Sequence, residues 1–414
     1  MADQRTGGSF SRRAFLGTAA LGTAVVGGAT VGGIALASAR EEAPAPARGF
    51  HGERQAGVLE QPAPHGLLAG FRCVDPDRVA LAGTMRRLSD EIEALVGGRP
   101  AAELDAQLPP TDNGVLGEVT DPGLVATLSV GASLFDGRYG LAARKPRELV
   151  TMPFLANDRL DPRRSHGDLL LVLQGREPDV CLHALRRVMR RTRANLVLHW
   201  LQDAFTRPDA KPLAGQTQSR NLLGFKDGTA NPDASDAELM RRLVWTSSGE
   251  PAWTAGGTYQ AVRVIRMLVE RWDRASLTEQ ENLIGRHKGS GAPLSGSSES
   301  EAPVFADDPD GERTPLDAHI RLANPRDRRT AGKELLRRGF SYSRGMDGAG
   351  MLDQGLAFIS YQSRLAHFLE TNDRLKGEPL EEYLRPEGGG FFFVLPGVTR
   401  DGDHLGRSLL TGMP

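Results

Sequence analysis

Hydrophobic and polar positions along the first half of the chain alternate with two different periods. Apolar runs predict strands over 67–73, 125–130, 169–173 and 200–205. Helical spacing predicts one helix over 179–196. It predicts another that begins at Asp75-Pro76, with Asp75 as the cap and Pro76 at the first helical position. The predicted apolar face of that capped helix consists of Val79, Met85, Leu88, Ile92 and Leu95. The order strand–helix–strand–strand–helix–strand is typical of an α+β layer, with helices on one face of an antiparallel sheet.

The second half of the chain repeats this pattern. Helices are predicted over 234–243, 276–285 and 364–370, and strands over 258–269, 356–361 and 390–395. The segment 288–314 is dense in Gly, Ser, Pro, Asp and Glu, so it is predicted to be a long loop. Two similar halves, each a four-stranded layer with helices, are the most economical interpretation.

Composition divides the chain into four segments. A stretch over 208–218, rich in Pro, Gly and Gln, marks the expected boundary between the two halves. We therefore expect an N-terminal domain over 65–215 and a C-terminal domain over 216–414. Residues 40–64, rich in Pro, Ala and Glu, are expected to form an exposed lead-in, and residues 1–39 a signal peptide.

The expected signal peptide has three recognisable parts. A twin arginine, Arg12-Arg13, precedes a Gly/Ala-rich apolar run over 14–36, and Ala37-Ser38-Ala39 follows as a peptidase site. An uncleaved anchor is the alternative, but the run is too weakly apolar for a stable membrane span. Twin-arginine export carries proteins that are already folded, often around a cofactor. We expect export to the periplasm, cell envelope or medium, and a prosthetic group.

Bulk composition excludes few functions. Hydrophobic residues make up 39% and charged residues 25% of the 414, as in ordinary globular proteins. The formal net charge of −1 argues against nucleic-acid binding, which needs an excess of basic residues. The arginines of 186–193 are interpreted as surface residues.

Cys73 and Cys181 could pair in an oxidising compartment, although two isolated cysteines are more often buried thiols. The chain contains neither Cys-x-x-Cys-His nor His-Glu-x-x-His, which excludes covalent c-type haem and a common zinc site.

One segment is distinctive for chemistry: residues 224–232 read Gly-Phe-Lys-Asp-Gly-Thr-Ala-Asn-Pro. It could be a surface turn, because Asp-Gly and Asn-Pro are common turn formers. Alternatively, its glycines bring the backbone close to a flat ligand and hold the Asp227 carboxylate over it. The residues alone leave both interpretations open.

This segment resembles the Gly-x-x-Asp-Gly signature of the dye-decolorising peroxidases, and further similarities follow in order along the chain. They lie at 50–57, 257–266, 272–274, 284–286, 290–294, 319–326, 336–342 and 388–393. The resemblance covers essentially everything after the expected signal peptide. It is strongest to the exported branch, which includes the deferrochelatase/peroxidase of bacterial iron-uptake operons. It implies a duplicated ferredoxin-like α+β fold, with one haem b held mainly by the C-terminal half.

The resemblance also implies an iron ligand. Among nine histidines, His319 matches the family's proximal haem ligand. A hydrogen bond from its other ring nitrogen to a carboxylate would make it a stronger electron donor. Glu382 matches the family's carboxylate loosely, and its neighbour Glu381 competes for the role; a solvated glutamate is the ordinary alternative for either.

Two further residues are implied on the open face of the haem. Asp227 would move the peroxide proton, and Arg337 would stabilise the charge of O–O cleavage. Arg337 follows His319 by 18 residues, the family's interval, which favours it over Arg338. An Asp–Arg ion pair without catalytic function is the ordinary alternative. The implied haem contacts are Gly228, Thr229, Ala230, Asn324 and Pro325, with Arg286 and Arg326 as partners of the propionates.

The leading hypothesis is therefore an exported haem peroxidase, an oxidoreductase that reduces hydrogen peroxide and oxidises a broad range of small-molecule donors. The iron-uptake branch implies a second function, release of iron from intact haem, together with iron-uptake partners. A non-catalytic haem carrier is a third hypothesis, but a carrier would commonly fill both axial positions of the iron. The physiological donor and assembly into homo-oligomers stay open.

Overall fold

The computed structural model describes residues 49–99, 106–117, 119, 121–207, 219–246 and 249–411. The expected signal peptide, residues 40–48 of the lead-in and the boundary segment 208–218 lie outside these residues. The elements of the first half are β1 (His65–Cys73), α1 (Arg78–Val96), β2 (Val125–Gly131), β3 (Leu169–Gly175), α2 (Pro178–Thr192) and β4 (Leu196–Phe205). Its strands pair antiparallel in the order β2-β3-β1-β4.

The second half begins with a two-stranded hairpin and continues with a larger set of elements. These are β5 (Ser219–Arg220), β6 (Lys226–Asp227), α3 (Ala237–Leu243), β7 (Thr258–Met267), α4 (Val269–Trp272), α5 (Leu277–Ile284), α6 (His319–Ala323), β8 (Leu336–Arg337), β9 (Phe340–Met346), β10 (Leu352–Gln362), α7 (Leu365–Leu375), β11 (Leu384–Val394) and α8 (Arg407–Leu410). The large strands follow the order β9-β10-β7-β11, which repeats that of the first half. This duplication of a β-α-β-β-α-β unit confirms the ferredoxin-like α+β fold.

The two sheets also join at both edges, which the hydrophobic pattern does not reveal. Strand β2 pairs with β11 at Phe392↔Gly131, and β4 meets β9 at Phe205↔Ser341. Eight of the described strands therefore form a closed ring. Leu68 and Val262 pack inside the ring, whereas Leu67 packs in a separate core with α1 and α2. Both faces of a strand are thus buried, which explains continuous apolar runs such as β3.

Two local predictions in the first half are wrong. Helix α1 is capped by Asp77, whose side chain accepts from the Ala80 N–H at 2.9 Å, and not by Asp75. Asp75 is buried and accepts hydrogen bonds from Thr84 and Asn195 instead. Val79, placed on the apolar face, is 82% exposed, because it lies two residues, or roughly 200° around the helix, from Leu81, where the buried face begins.

The second helix also differs from the prediction. Helix α2 ends at Thr192, since the chain turns there and enters β4 at Leu196. Arg187 is not a surface residue: it is buried and donates to Glu91 at 2.7 Å and Asp112 at 3.3 Å. A buried guanidinium is stable only when it is paired in this way.

The described part of the lead-in, expected to be exposed, is partly buried. The Gln55 amide donates to the carbonyl oxygens of Leu128 and Leu395, and Val58 is fully buried in the ring core. The loop predicted over 288–314 contains a 3₁₀ turn, Phe305–Asp307, and one β-bridge, from Pro293 to Arg286. The helix predicted over 276–285 is α5 with the Ser276 cap. In the described part of the chain, no helix has the length and hydropathy required to cross a membrane.

The two cysteines are both free and buried. Cys73 ends β1, whereas the Cys181 Sγ lies 3.9 Å from the carbonyl oxygen of His65, the first residue of β1. Eight residue steps along a strand span about 26 Å at about 3.3 Å each, far beyond the reach of a disulfide. The pairing that the sequence left open is therefore excluded in this fold.

Candidate active site

A cavity of about 350 Å³ is lined mainly by the second half of the chain and is within the size range of small-molecule sites. Alternate residues of β7 (Arg263, Ile265 and Met267) face it, together with Leu356 and Phe358 of β10. The sequence-predicted residues on its wall are Asp227, Gly228, Thr229, Ala230, Arg286, His319, Asn324, Arg326 and Arg337. The fold thus brings together residues that are spread over more than a hundred positions.

His319 is the first residue of α6, and its ring is held by a buried carboxylate. Its Nδ1 lies 2.8 Å from Oε2 of Glu378, a residue that is only 6% exposed. Burial lowers the pKa of His319, but the charge and hydrogen bond of Glu378 outweigh this effect, so the net pKa is raised. A hydrogen bond from Nδ1–H leaves Nε2 as the nitrogen that can bind a metal.

The prediction that Glu382 supports the histidine is wrong. Glu382 is exposed, and its main-chain oxygen accepts from Arg271. Glu381 accepts from the main-chain N–H of Gly377. Glu378 stands immediately before the 3₁₀ helix Pro379–Tyr383, and the turn into that helix directs its carboxylate to His319. Nothing in the local sequence distinguishes the three glutamates, so only the tertiary contact identifies Glu378.

Side chains from other elements hold α6 in place. A five-residue helix is too short to be stable by itself. Arg374 of α7 donates to its last carbonyls, at 2.9 Å to Ala323 and 3.3 Å to Leu322. Arg321 donates to the Thr314 carbonyl at 2.8 Å and to the buried carboxylate of Asp308 at 3.2 Å. His319 is therefore presented from a rigid turn.

Asp227 and Arg337 face the same cavity from β6 and β8. The Arg337 Nη1 lies 3.6 Å from the Asp227 Oδ1, close enough for electrostatic contact but beyond a good hydrogen bond. After Asp227 the chain has positive φ angles at Gly228 (93°) and Ala230 (61°). These left-handed positions wrap residues 228–230 along the cavity wall, which is why a glycine follows the aspartate.

A buried residue of the long loop anchors the segment around Asp227. Glu299 is 7% exposed, accepts from the Thr229 Oγ1 at 2.8 Å and forms an ion pair with Lys226. Lys226 and Thr229 flank Asp227 in the chain, so Glu299 binds a side chain on each side of it. The sequence around Glu299 is typical of an exposed loop and provides no signal for this role.

Two arginines on the cavity wall are suited to an anionic ligand. Arg286 is buried and donates to the Gly291 carbonyl at 2.7 Å. Burial, together with the charges of Arg326 and Arg337, lowers the pKa of Arg286 to about 10. Burial also lowers the pKa of Arg326. Guanidinium groups that destabilise one another in this way are stabilised by a bound carboxylate.

Pro325 is the one predicted cofactor contact that does not line the cavity. The chain turns here: Arg326 has a positive φ of 57°, and its N–H donates to the Asn324 Oδ1 at 3.0 Å. Asn324 and Arg326 lie on the cavity wall, whereas Pro325 between them does not.

The first half of the chain also contributes to the cavity, which the sequence does not reveal. Ala156 and Asn157 lie on its wall, and the Asn157 amide donates to the carbonyls of Glu381 (3.0 Å) and Leu384 (2.7 Å). The next residue, Asp158, forms a fully buried ion pair with Arg263 of β7. These contacts link the loop before β3 to the segment that follows Glu378.

The residues present fit a haem. A histidine backed by a carboxylate can bind iron, apolar side chains such as Ile265 and Phe358 can pack against a porphyrin, and the two arginines can pair with its propionates. Asp227 and Arg337 supply an acid/base group and a permanent positive charge in the same cavity.

Comparison with protein families gives matches to two models. Residues 55–206 match the model described as "Dyp-type peroxidase, N-terminal", and residues 218–399 match "Dyp-type peroxidase, C-terminal". Together these ranges cover most of the chain.

Individual proteins show the same similarity. The chain is 45% identical over 365 residues to a deferrochelatase of Yersinia pestis, covering 87% of this chain and 84% of that protein. It is 45% identical over 366 residues to a deferrochelatase of Escherichia coli O157:H7, covering 87% and 86%. Among solved structures, ferric DtpA from Streptomyces lividans is 35% identical with a TM-score of 0.78, covering 88% of this chain and 96% of that one. A DyP-type peroxidase from Streptomyces coelicolor is 34% identical with a TM-score of 0.79 and the same coverage.

Proposed function

This chain belongs to the Dyp-type peroxidase family and is a haem-dependent peroxidase, and from that premise we propose that His319 binds the haem iron while Asp227 and Arg337 act on peroxide. The convergence of the His319–Glu378 pair and the Asp227–Arg337 pair on one cavity carries this proposal. Hydrogen peroxide and small-molecule electron donors are its substrates.

Haem, when bound, supplies an iron that accepts electrons from donors and passes them to peroxide. The chain's own contribution starts at His319, where Glu378 accepts a hydrogen bond from Nδ1–H and thereby orients the ring. The carboxylate also increases the electron-donor strength of the imidazole. Arg286 and Arg326 would hold the two propionates, and residues 228–230 would form part of the wall that the porphyrin contacts.

Cleavage of the O–O bond with release of water requires that a proton moves from one peroxide oxygen to the other. Asp227 is suited to this transfer, because a carboxylate can accept the proton and return it to the departing oxygen. The Arg337 guanidinium stays charged at all relevant pH values and stabilises the negative charge that develops during cleavage. The separation of 3.6 Å lets both groups contact one small substrate molecule.

The ultraviolet–visible spectrum of the purified protein, before and after one equivalent of hydrogen peroxide, tests the assignment of the ligand. We expect a haem-saturated wild type whose Soret band shifts with peroxide, and a His319→Ala variant that lacks the band of histidine-ligated haem. A wild-type spectrum in His319→Ala would show that another residue binds the iron.

We propose haem b at one haem per chain, because the chain has no motif for covalent attachment and this residue set occurs once among the described residues. A pyridine haemochrome assay, with the haem concentration divided by the protein concentration, measures both the haem type and the stoichiometry.

We also propose twin-arginine export, on the basis of Arg12-Arg13 and the apolar run that follows. A variant with both arginines replaced by lysine should stay in the cytoplasm; export of that variant would contradict this route. Iron-uptake proteins as partners and assembly into homo-oligomers are further proposals, which pull-down and light scattering would test.

Release of iron from intact haem is a second candidate function. It is supported by the similarity to relatives named deferrochelatase, which are 45% identical over most of both chains. Anaerobic incubation of the protein with haem, followed by fluorescence detection of metal-free porphyrin, tests it. Porphyrin formation that depends on His319 would support this function, and its absence would leave peroxide reduction alone. The peroxidase family sets aside the hypothesis of a non-catalytic carrier.

A further inference from the structure

A side-chain amide pairs with the main chain of Arg337 at both of its polar groups. The Arg337 N–H donates to the Asn231 Oδ1 at 3.0 Å, and the Asn231 Nδ2 donates to the Arg337 carbonyl at 2.7 Å. Both distances lie within the range of well-formed hydrogen bonds, about 2.7–3.2 Å. Among the side chains that could occupy this position, a primary amide is suited because it presents one donor and one acceptor in the same plane.

The strand that carries Arg337 needs such a partner. Strand β8 has two residues and pairs with β10 through Ser360 and Tyr361. On this side, the N–H of Arg338 donates to the Ile359 carbonyl at 2.8 Å. Because successive N–H groups along a strand point to opposite edges, the N–H of Arg337 points away from β10. Asn231 therefore acts as a one-residue partner on the second edge of β8.

The same amide belongs to the loop that follows Asp227. The Asn231 N–H donates to the Gly228 carbonyl at 3.0 Å, which closes a turn over residues 228–231. The Arg337 Nη2 donates to the Thr229 carbonyl of this turn at 2.9 Å. The loop therefore contacts Arg337 at its N–H, its carbonyl and its guanidinium. A shift of Arg337 relative to Asp227 would have to break these bonds together.

We propose that Asn231 is a positioning residue for the peroxide reaction: it holds the main chain of Arg337 so that the guanidinium keeps its place beside Asp227. This inference rests on the functions proposed above for Asp227 and Arg337. Asn231 itself does not need to touch peroxide. An alanine at 231 removes both bonds to the main chain of Arg337, whereas an aspartate keeps the acceptor and removes the donor.

Hydrogen–deuterium exchange on the haem-free protein tests the contact independently of activity. Overlapping peptides that resolve Arg337 are compared among wild type, Asn231→Ala and Asn231→Asp. Asn113→Ala is the matched control, because the Asn113 side chain also donates and accepts hydrogen bonds, with His183 and with the main-chain N–H of Val115, in the first half of the chain. We expect faster exchange at Arg337 in Asn231→Ala, and near wild-type exchange in Asn231→Asp and in the control. Unchanged exchange in Asn231→Ala would overturn the inference.

Rapid mixing of the haem-loaded proteins with hydrogen peroxide tests the consequence. We expect Asn231→Ala to bind haem normally but to react about 10- to 100-fold more slowly, because small displacements of a reacting group are costly. In an Arg337→Leu background the same substitution should change the rate by less than about twofold, since coupled residues are non-additive. An equal loss in both backgrounds would show that Asn231 does not act through Arg337.

If Arg337→Leu alone reacts at the wild-type rate, the proposed function of Arg337 fails, and the exchange result still stands by itself. If Asn231→Ala does not fold, Asn231→Asp must show the slower reaction in the wild-type background and lose the effect in Arg337→Leu; otherwise the inference fails.

Discussion

Replacement of Asp158 by asparagine would leave a buried arginine without its counter-charge. The Asp158 side chain is fully buried and that of Arg263 is 4% exposed. Arg263 donates to both carboxylate oxygens, with Nη1 at 3.1 Å from Oδ2, and the same oxygen accepts from the Leu155 N–H at 2.8 Å. Breaking a buried ion pair on one side typically costs about 3–5 kcal/mol, because the remaining charge is desolvated and unpaired.

The expected shift in melting temperature follows from the size of the folded unit. The compact unit to which the described residues belong spans 369 positions of the chain, from 46 to 414. At about 2.1 cal/mol/K per residue, its unfolding entropy is about 0.8 kcal/mol/K. A loss of about 3–5 kcal/mol therefore lowers the melting temperature by about 4–6 °C.

Scanning calorimetry of the haem-free proteins measures this shift. The matched control is Glu238→Gln, which breaks the exposed Arg241–Glu238 pair of α3 and should cost less than about 0.5 kcal/mol. A double variant, Asp158→Leu with Arg263→Met, should recover most of the stability, since both charges leave the interior. A shift below about 1 °C in Asp158→Asn, or a double variant as unstable as the single one, would refute the reasoning.

Other predictions concern the cavity and the thiols. Asp227→Asn should bind haem normally and react with peroxide about 10²- to 10⁴-fold more slowly in stopped-flow spectra; a wild-type rate would remove Asp227 from the mechanism. Arg337→Leu should slow the same step more than Asp227→Asn does, since it removes a permanent charge, and a smaller effect would contradict that order. Glu378→Gln should weaken haem binding by about 10- to 100-fold in a titration, whereas Glu382→Gln, at an exposed position, should leave it unchanged. Thiol reagents should detect Cys73 and Cys181 only after unfolding, because burial raises both thiol pKa values, that of Cys181 to about 12; titration in the native state would contradict their burial.

The hydrophobic pattern predicted the elements that bury a full face. Strands β1 to β4, β7 and β10 and helix α5 lie where apolar periodicity placed them. Element ends were less certain, since Asp75 and Asp77 are equally good helix caps and only the contacts of Asp75 with Thr84 and Asn195 decide between them. Strands β8 and β9 gave no signal: β8 has two residues, and β9 is buried only over its first part.

In the candidate site, ordered motifs selected His319, Asp227 and Arg337 through a family resemblance that periodicity alone could not supply. The residues that hold these three in place could not be predicted from the sequence. Glu378 was missed in favour of Glu382, and Glu299 lies in a segment with the composition of a solvated loop. Each of these carboxylates acts because a residue far away in the chain lies within 3 Å of it.

By itself the sequence determined the two repeated α+β halves and the chemical groups available for a haem. Hydrophobic periodicity and short motifs each involve residues that are close together in the chain, so they can be recognised without the tertiary structure. Only the tertiary structure decided that the two sheets close into a ring, that Asn157 of the first half reaches the cavity, and that Asn231 pairs with Arg337. These contacts join residues up to 265 positions apart, as between Ser129 of β2 and Val394 of β11. No local pattern encodes such a pair, since each partner satisfies its charge or hydrogen bond only after both halves have packed.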